Sequence, residues 1–199
     1  MVTCGRYRWV HTAPAYAESV VDMPVAVVDY DPAWRRDFAV QRKRLTVLLR
    51  GWLAEPVEHV GSTSVPGLAA KPIVDILAPV TSLVEARAAV PTLQDDGWLD
   101  WPADPNRSWR LWFLRPQPEA RTHHLYLIQY DDPHVRELRT FRDVLCANDA
   151  LRDRYEVLKR NLANDFRDDR EAYTKAKAGF IENELRHYGI EPRPRPRSD

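Results

Sequence analysis

Apolar residues come in short runs through the first two thirds of the chain and at helical spacing thereafter. Val25-Ala26-Val27-Val28 predicts a short strand. Asp31-Pro32 opens a helix, with Asp31 as cap and Pro32 in the first turn. Trp34, Phe38, Leu45, Leu48 and Leu49 share one face of that helix, and Gly51 lies near its end. Val57–Val60 is a second strand. Ile73–Val80, the most apolar run, predicts a central strand. Ser82–Leu93 reads as a helix with Val84, Ala88 and Leu93 inward. Strands follow from Gly97, over Trp109–Leu114 and over His124–Ile128, the last two as antiparallel neighbours. From about residue 132 the period becomes helical. Leu151, Tyr155, Leu158, Leu162 and Phe166 mark one stripe, and Tyr173, Ala176, Phe180, Ile181, Leu185 and Tyr188 another. Asp168 with Glu171 resembles a capping box.

Mixed strands and helices followed by three helices predict an α+β fold, a mixed sheet flanked by helices with a C-terminal helical part. Residues 1–23 lack a period and predict a flexible extension. The domain then spans 24–190. Residues 191–199, alternating Pro with Arg from Pro192, predict a loose tail.

The 199 residues suffice for a core without disulfides. Lys and Arg balance Asp and Glu at 29 each, so net charge recommends neither nucleic acid nor an anionic membrane as partner. Cys4 and Cys146 are read as two free thiols of a reducing compartment. Met1–Ala17 has no apolar stretch of leader type, and no segment is apolar for the length of a membrane span. A cytoplasmic location is therefore expected. Oligomeric state stays open.

The densest chemistry lies between His59 and Ile76: a strand, the Gly/Ser-rich loop Gly61-Ser62-Thr63-Ser64, Gly67, Lys71, then a strand bearing Asp75. Glycines admit close approach of the backbone, and the hydroxyls and N–H groups can hold anionic oxygens. Lys71 supplies a point charge for phosphate, and Asp75 can hold a divalent metal. The same residues also fit a plain loop in which hydroxyls satisfy the backbone and the acid caps a neighbour. The Gly-Lys-Ser/Thr ending of a Walker A loop is absent. On the later strands alternation places Arg110 and Trp112 on one face, and His124 and Tyr126 on one face. Arg110 can clamp an anion, Trp112 and Tyr126 can line a substrate, and His124 can act as acid or base or hydrogen-bond in the core. His123 faces the other way, and Arg115 is expected in solvent.

The run from His59 to Ile76 resembles the signature of the GrpB family, and Tyr30-Asp31-Pro32-Ala33-Trp34 resembles its opening motif. Phe141-Arg142-Asp143 and Asp169–Lys177 resemble its C-terminal motifs. The likeness covers roughly 24–188. It implies a nucleotidyltransferase-like fold, in which a Gly-Ser pair precedes a strand with two alternating acids that bind the Mg²⁺ carrying a nucleoside triphosphate. Gly61-Ser62 matches the pair and Asp75 one acid, but the companion positions Ile73 and Leu77 are apolar. The family's His-x-His is His124-Leu125-Tyr126 here. What the resemblance implies is a site with Asp75 and His124 catalytic and Asp75 on Mg²⁺. Gly61, Ser62, Thr63, Ser64, Lys71, Arg110 and Lys175 would hold nucleotide or phosphate.

Three functions follow as expectations. One is Mg²⁺-dependent transfer of a nucleotidyl or phosphoryl group from a nucleoside triphosphate to a small acceptor. Another is a non-catalytic module that binds a phosphorylated ligand or assists another protein, as GrpB-like domains fused to dephospho-CoA kinase suggest. The third is a scaffold reused for other small-molecule biosynthetic chemistry. Fold alone does not choose among them.

Overall fold

The computed structural model describes residues 23–117 and 120–193. The expected N-terminal extension, apart from Met23, and tail residues 194–199 lie outside it. Helix α1 (Ala33–Leu48) begins where Asp31 accepts the Ala33 N–H at 2.8 Å. Its Trp34 and Leu45 are buried, as is Leu49 just beyond. Strands β1 (Glu58–Val60), β2 (Val74–Val80), β3 (Leu99–Asp100), β4 (Arg110–Arg115) and β5 (His123–Gln129) form one mixed sheet in the order β1-β2-β5-β4-β3. The β2–β5 pair is parallel and the other three are antiparallel. The run expected to be central, β2, is interior, but β5 holds the middle.

Alternation along β2 and β5 gives the sheet two different faces. Val74, Ile76, Ala78 and Val80 join Leu125 and Leu127 in the main core, under α1, α2 (Leu83–Ala86) and α3 (Val90–Asp95). The opposite face carries Asp75, Leu77, His124 and Tyr126. It is covered by the C-terminal helices α4 (Pro133–Ala147), α5 (Asp149–Asp165) and α6 (Arg170–His187). The Ser–Thr–Ser turn at 62–64 is a short 3₁₀ helix between β1 and β2. Each C-terminal helix is capped by a side chain: Asp132 for α4, Asn148 for α5 and Asp169 for α6.

Several local expectations change. Val25–Val28 is not a sheet strand. It runs extended, with Val28 bridging Ala70 and Val25 donating to the Arg167 carbonyl at 2.6 Å, and Val25 packs on Ala163 and Tyr173. The expected single helix over 82–93 is broken by a 3₁₀ turn at Arg87–Ala89, and its buried face is Leu83, Ala86, Ala89 and Leu93. Val84 is 78% exposed and Ala88 is exposed. The α6 cap is Asp169, one residue past the expected Asp168. Arg115 is not solvated: it donates to Gln41 at 3.1 Å and lies 5.1 Å over the Trp98 ring. The start of the expected tail docks. Pro192 is buried, the Arg193 N–H donates to Glu137 at 2.7 Å, and its guanidinium donates to Asp132 at 2.6 Å.

Candidate functional site

A cavity of about 290 Å³ opens between the site-bearing face of the sheet and helices α5 and α6. That volume is at the lower end of what small-molecule sites offer, about 300 Å³ and upward. The loop before β2 supplies Ser62, Thr63 and Lys71 to its wall, and β2 supplies Asp75. Strands β4 and β5 add Arg110, Trp112, His124 and Tyr126, and the helices add Lys159, Arg170, Tyr173, Thr174 and Lys177.

Asp75 and His124 meet because they are aligned partners in the parallel β2–β5 pair. His124 Nδ1 and the Tyr126 hydroxyl both reach Asp75 Oδ1, at 3.0 and 3.3 Å. Burial alone would raise the Asp75 pKa, but the His124 hydrogen bond, with the nearby charges of His124 and Lys71, holds it below the usual carboxylate value. Burial lowers the His124 pKa, with Asp75 opposing. At neutral pH the carboxylate is ionised and the imidazole neutral. The proton between them therefore resides on Nδ1, leaving the Nε2 lone pair open. Nε2 is buried and has no hydrogen-bond partner. Burial, then Asp75, pushes Tyr126 well above the ordinary phenol value, so it remains a donor.

Gly61 is fixed by the same carboxylate. Its φ of 71° and ψ of −174° belong to a region open to glycine, and a Cβ there would overlap Asp75 Oδ2. Thr63, 1% exposed, donates to the Ile73 carbonyl at 3.1 Å and lies 3.0 Å from His59 Nε2. Burial drives His59 down to about 4, so its neutral ring donates to Thr63. The Ser64 hydroxyl closes the turn onto the Gly61 carbonyl at 2.6 Å and does not line the cavity.

The remaining wall is cationic. Lys71 and Lys177 both lie over the Tyr173 ring, at 4.8 and 4.4 Å from its centre. Lys159 is 1% exposed, donates to the Ala69 carbonyl and lies over Tyr155. Burial, then neighbouring Lys177, brings both Lys71 and Lys159 down to about 7. Arg110 is held by Asp104 through two bonds of 2.6 and 2.9 Å and lies over Trp109, Trp112 and Tyr126. It lines the cavity with its charge already met.

The residues singled out in the sequence thus separate. Ser62, Thr63, Lys71, Asp75, Arg110, Trp112, His124 and Tyr126 share one cavity, Gly61 backs it, and Ser64 braces the turn. Lys175 does not join them: it pairs with Glu171 at 3.0 Å on the outside of α6. Lys177, four residues beyond the inward Tyr173, takes that place. Arg121, Lys159, Arg170 and Thr174 also line the cavity and were not anticipated. For Lys177 and Arg170 the helical phase relative to Tyr173 was the available signal. For Lys159 the phase relative to Tyr155 was the same kind of signal, but nothing in the sequence points to its carbonyl partner at Ala69.

The donor set around Asp75 does not suit Mg²⁺. Ile73 and Leu77 are buried hydrocarbon side chains, and the cross-strand partners of Asp75 are Val60 and His124. Among the described residues no three His, Cys, Asp or Glu side chains gather to hold a metal ion. Mg²⁺ is a hard cation that asks for several oxygen ligands. Here the one carboxylate is engaged by His124 and Tyr126 and faces cations. Cys146 is a free, exposed thiol. Among the described residues no helix is long and apolar enough to cross a membrane.

Comparison with known proteins agrees on one relationship. Residues 24–187 match the family model described as GrpB protein. A UPF0157 protein of Halalkalibacterium halodurans is 35% identical over 158 residues, 79% of each chain. The glutamate-rich protein GrpB of Alkalihalophilus pseudofirmus is 30% identical over 164 residues, 81% of this chain and 94% of that one. The crystal structure of the conserved protein GrpB from Enterococcus faecalis superposes with a TM-score of 0.74 at 31% identity, over 82% of this chain and 99% of that one.

Proposed function

The chain belongs to the GrpB family, and on that premise we propose that its cavity binds a phosphorylated small molecule with protein cations, not a metal ion, as the counter-charge. The observation that carries this reading is the composition of the wall. Lys71, Arg110, Arg121, Lys159, Arg170 and Lys177 line it, and Asp75 is the one carboxylate among its lining residues. Within that set Lys177 disfavours the charges of Lys71 and Lys159. A polyanion relieves that repulsion and restores protons to Lys71 and Lys159. Ser62 adds a hydroxyl beside them.

The finer reading takes the ligand to be a nucleoside triphosphate whose nucleotidyl or phosphoryl group passes to a small acceptor, in a cytoplasmic setting. The nucleotidyltransferase-like sheet supports it, with the cation wall in place of the missing acid and its Mg²⁺. Calorimetry with inorganic pyrophosphate and with ATP, with and without Mg²⁺, tests both levels. Binding without metal, weakened about tenfold or more in Lys71→Ala, supports the cation site. Binding that strictly requires Mg²⁺, or no binding at all, overturns it. Pyrophosphate or phosphate release in the presence of acceptors decides whether transfer occurs. Binding without release leaves a ligand-binding module.

A further inference from the structure

Two residues of the cavity wall each carry a buried ring nitrogen without a hydrogen-bond partner: Nε2 of His124 and Nε1 of Trp112. Their chemistry is complementary. The indole Nε1–H can only donate. His124 Nε2 can only accept, since Asp75 Oδ1, 3.0 Å from Nδ1, fixes the proton on the other nitrogen. The two rings stand edge to face, centres 5.3 Å apart at 84°. Both lie on the sheet face, opposite the amines of α5 and α6. A buried polar atom left unmade is costly, so an orphan donor beside an orphan acceptor describes the group that fits them. That group accepts one hydrogen bond and donates another, as an alcohol hydroxyl does. An ionised phosphate oxygen satisfies the indole but not the imidazole.

Resting on the phospho-ligand reading, we propose that Trp112 Nε1 and His124 Nε2 bind the hydroxyl of an alcohol substrate and that His124 removes its proton when it attacks phosphorus. The phosphoryl or nucleotidyl donor is the nucleoside triphosphate named above. The hydroxyl oxygen forms a bond to phosphorus. The P–O bond to the leaving phosphate or pyrophosphate breaks, with its electron pair going to the leaving oxygen. The hydroxyl proton moves to Nε2. Asp75 is a positioning residue: it keeps Nδ1–H in place and stabilises the imidazolium, while Tyr126 steadies the carboxylate. The base is neutral and ready because burial disfavours its charge.

Matched probes separate this from the binding reading. Calorimetry compares glycerol 3-phosphate with propyl phosphate, and inorganic pyrophosphate serves as the reference. The hydroxylated probe is expected to bind about tenfold more tightly to the wild type. Trp112→Phe and His124→Phe, which remove the donor and the acceptor respectively, should each bring the affinity ratio of the two probes to near one. The preference should also fade as pH falls and His124, faced by Asp75, Tyr126, Arg121 and Lys71, gains a proton and stops accepting. Should either variant fail to fold, ¹⁵N spectra of the wild type supply the second readout, in which the hydroxylated probe moves the His124 Nε2 resonance and propyl phosphate does not. Equal affinity for the two probes with pyrophosphate still bound overturns the hydroxyl site alone. A preference that survives both substitutions does the same. Failure of pyrophosphate to bind overturns the cavity reading and this one with it.

Discussion

Replacing Gly61 by alanine tests how tightly the turn and the dyad are joined. The backbone there has φ 71° and ψ −174°, and an added Cβ would lie 3.0 Å from Asp75 Cβ, 3.1 Å from its Cγ, and inside contact distance of Oδ2. Two costs follow. Holding a non-glycine residue in that region costs about 1–3 kcal/mol. Moving the carboxylate aside weakens its bond from His124, worth about 1.5–3 kcal/mol for a charged partner. The Asp75 side chain keeps 26% of its surface exposed, which places the second cost at the low end of its range. The sum is about 3–5 kcal/mol. With a urea slope of about 1–3 kcal/mol per molar, the midpoint should fall by about 1–5 M at unchanged slope. The same substitution in an Asp75→Ala background meets no carboxylate, keeps only the tight contact with the residue-75 Cβ, and should cost less. An unchanged midpoint would refute the strain argument, and equal costs in both backgrounds would refute the role given to Asp75.

Lys177→Ala should weaken pyrophosphate binding about tenfold, whereas Lys175→Ala, which breaks only an exposed pair with Glu171, should leave it within twofold by calorimetry. The Lys159 amine has a folded pKa of about 7 against an ordinary lysine value of 10.5, so between those values the unfolded state holds the extra proton and stability rises with pH. Urea midpoints measured from pH 7 to 9 should show that rise, and Lys159→Met should remove up to about 1.4 kcal/mol per pH unit of it. Ligand affinity should move the opposite way, since Lys71 and Lys159 lose charge as pH climbs past 7; pyrophosphate bound equally at pH 6 and 8.5 would contradict this. Arg193→Ala should lower stability by about 1–3 kcal/mol in a thermal or urea melt, because its guanidinium meets the nearly buried Asp132 and covers Trp109 at 4.7 Å.

How far the sequence could be read differs by element. The segment from His59 to Ile76 was legible because its turn, its glycine and its lone acid are local chemistry, and β1 and β2 form on either side of it as expected. The partnership of Asp75 with His124 was only half legible. Alternation places His124 and Tyr126 on one face, but no spacing rule reveals a parallel register that joins residues 49 apart. Lysines on amphipathic helices were hardest. Lys159 lies in phase with Leu151 and Tyr155, and the Ala69 carbonyl that receives its amine is in another part of the chain. In the 82–95 segment the expected inward Leu93 is buried, while Leu83 and Ala86 take the places expected of Val84 and Ala88.

The parallel β2–β5 register has a consequence for how the molecule is made. Antiparallel neighbours can zip from a short turn, but a parallel pair must wait for its crossover, here the whole passage through α2, α3, β3 and β4. Loop closure of that kind is the slow part of a folding reaction. The Asp75–His124 contact therefore belongs to the final topology and to nothing earlier. A newly synthesised chain with its helices formed and its hairpin β4–β5 paired still has an acid without its imidazole. The Asp75–His124 pair arrives together with the completed sheet, and their contact is a marker of maturation.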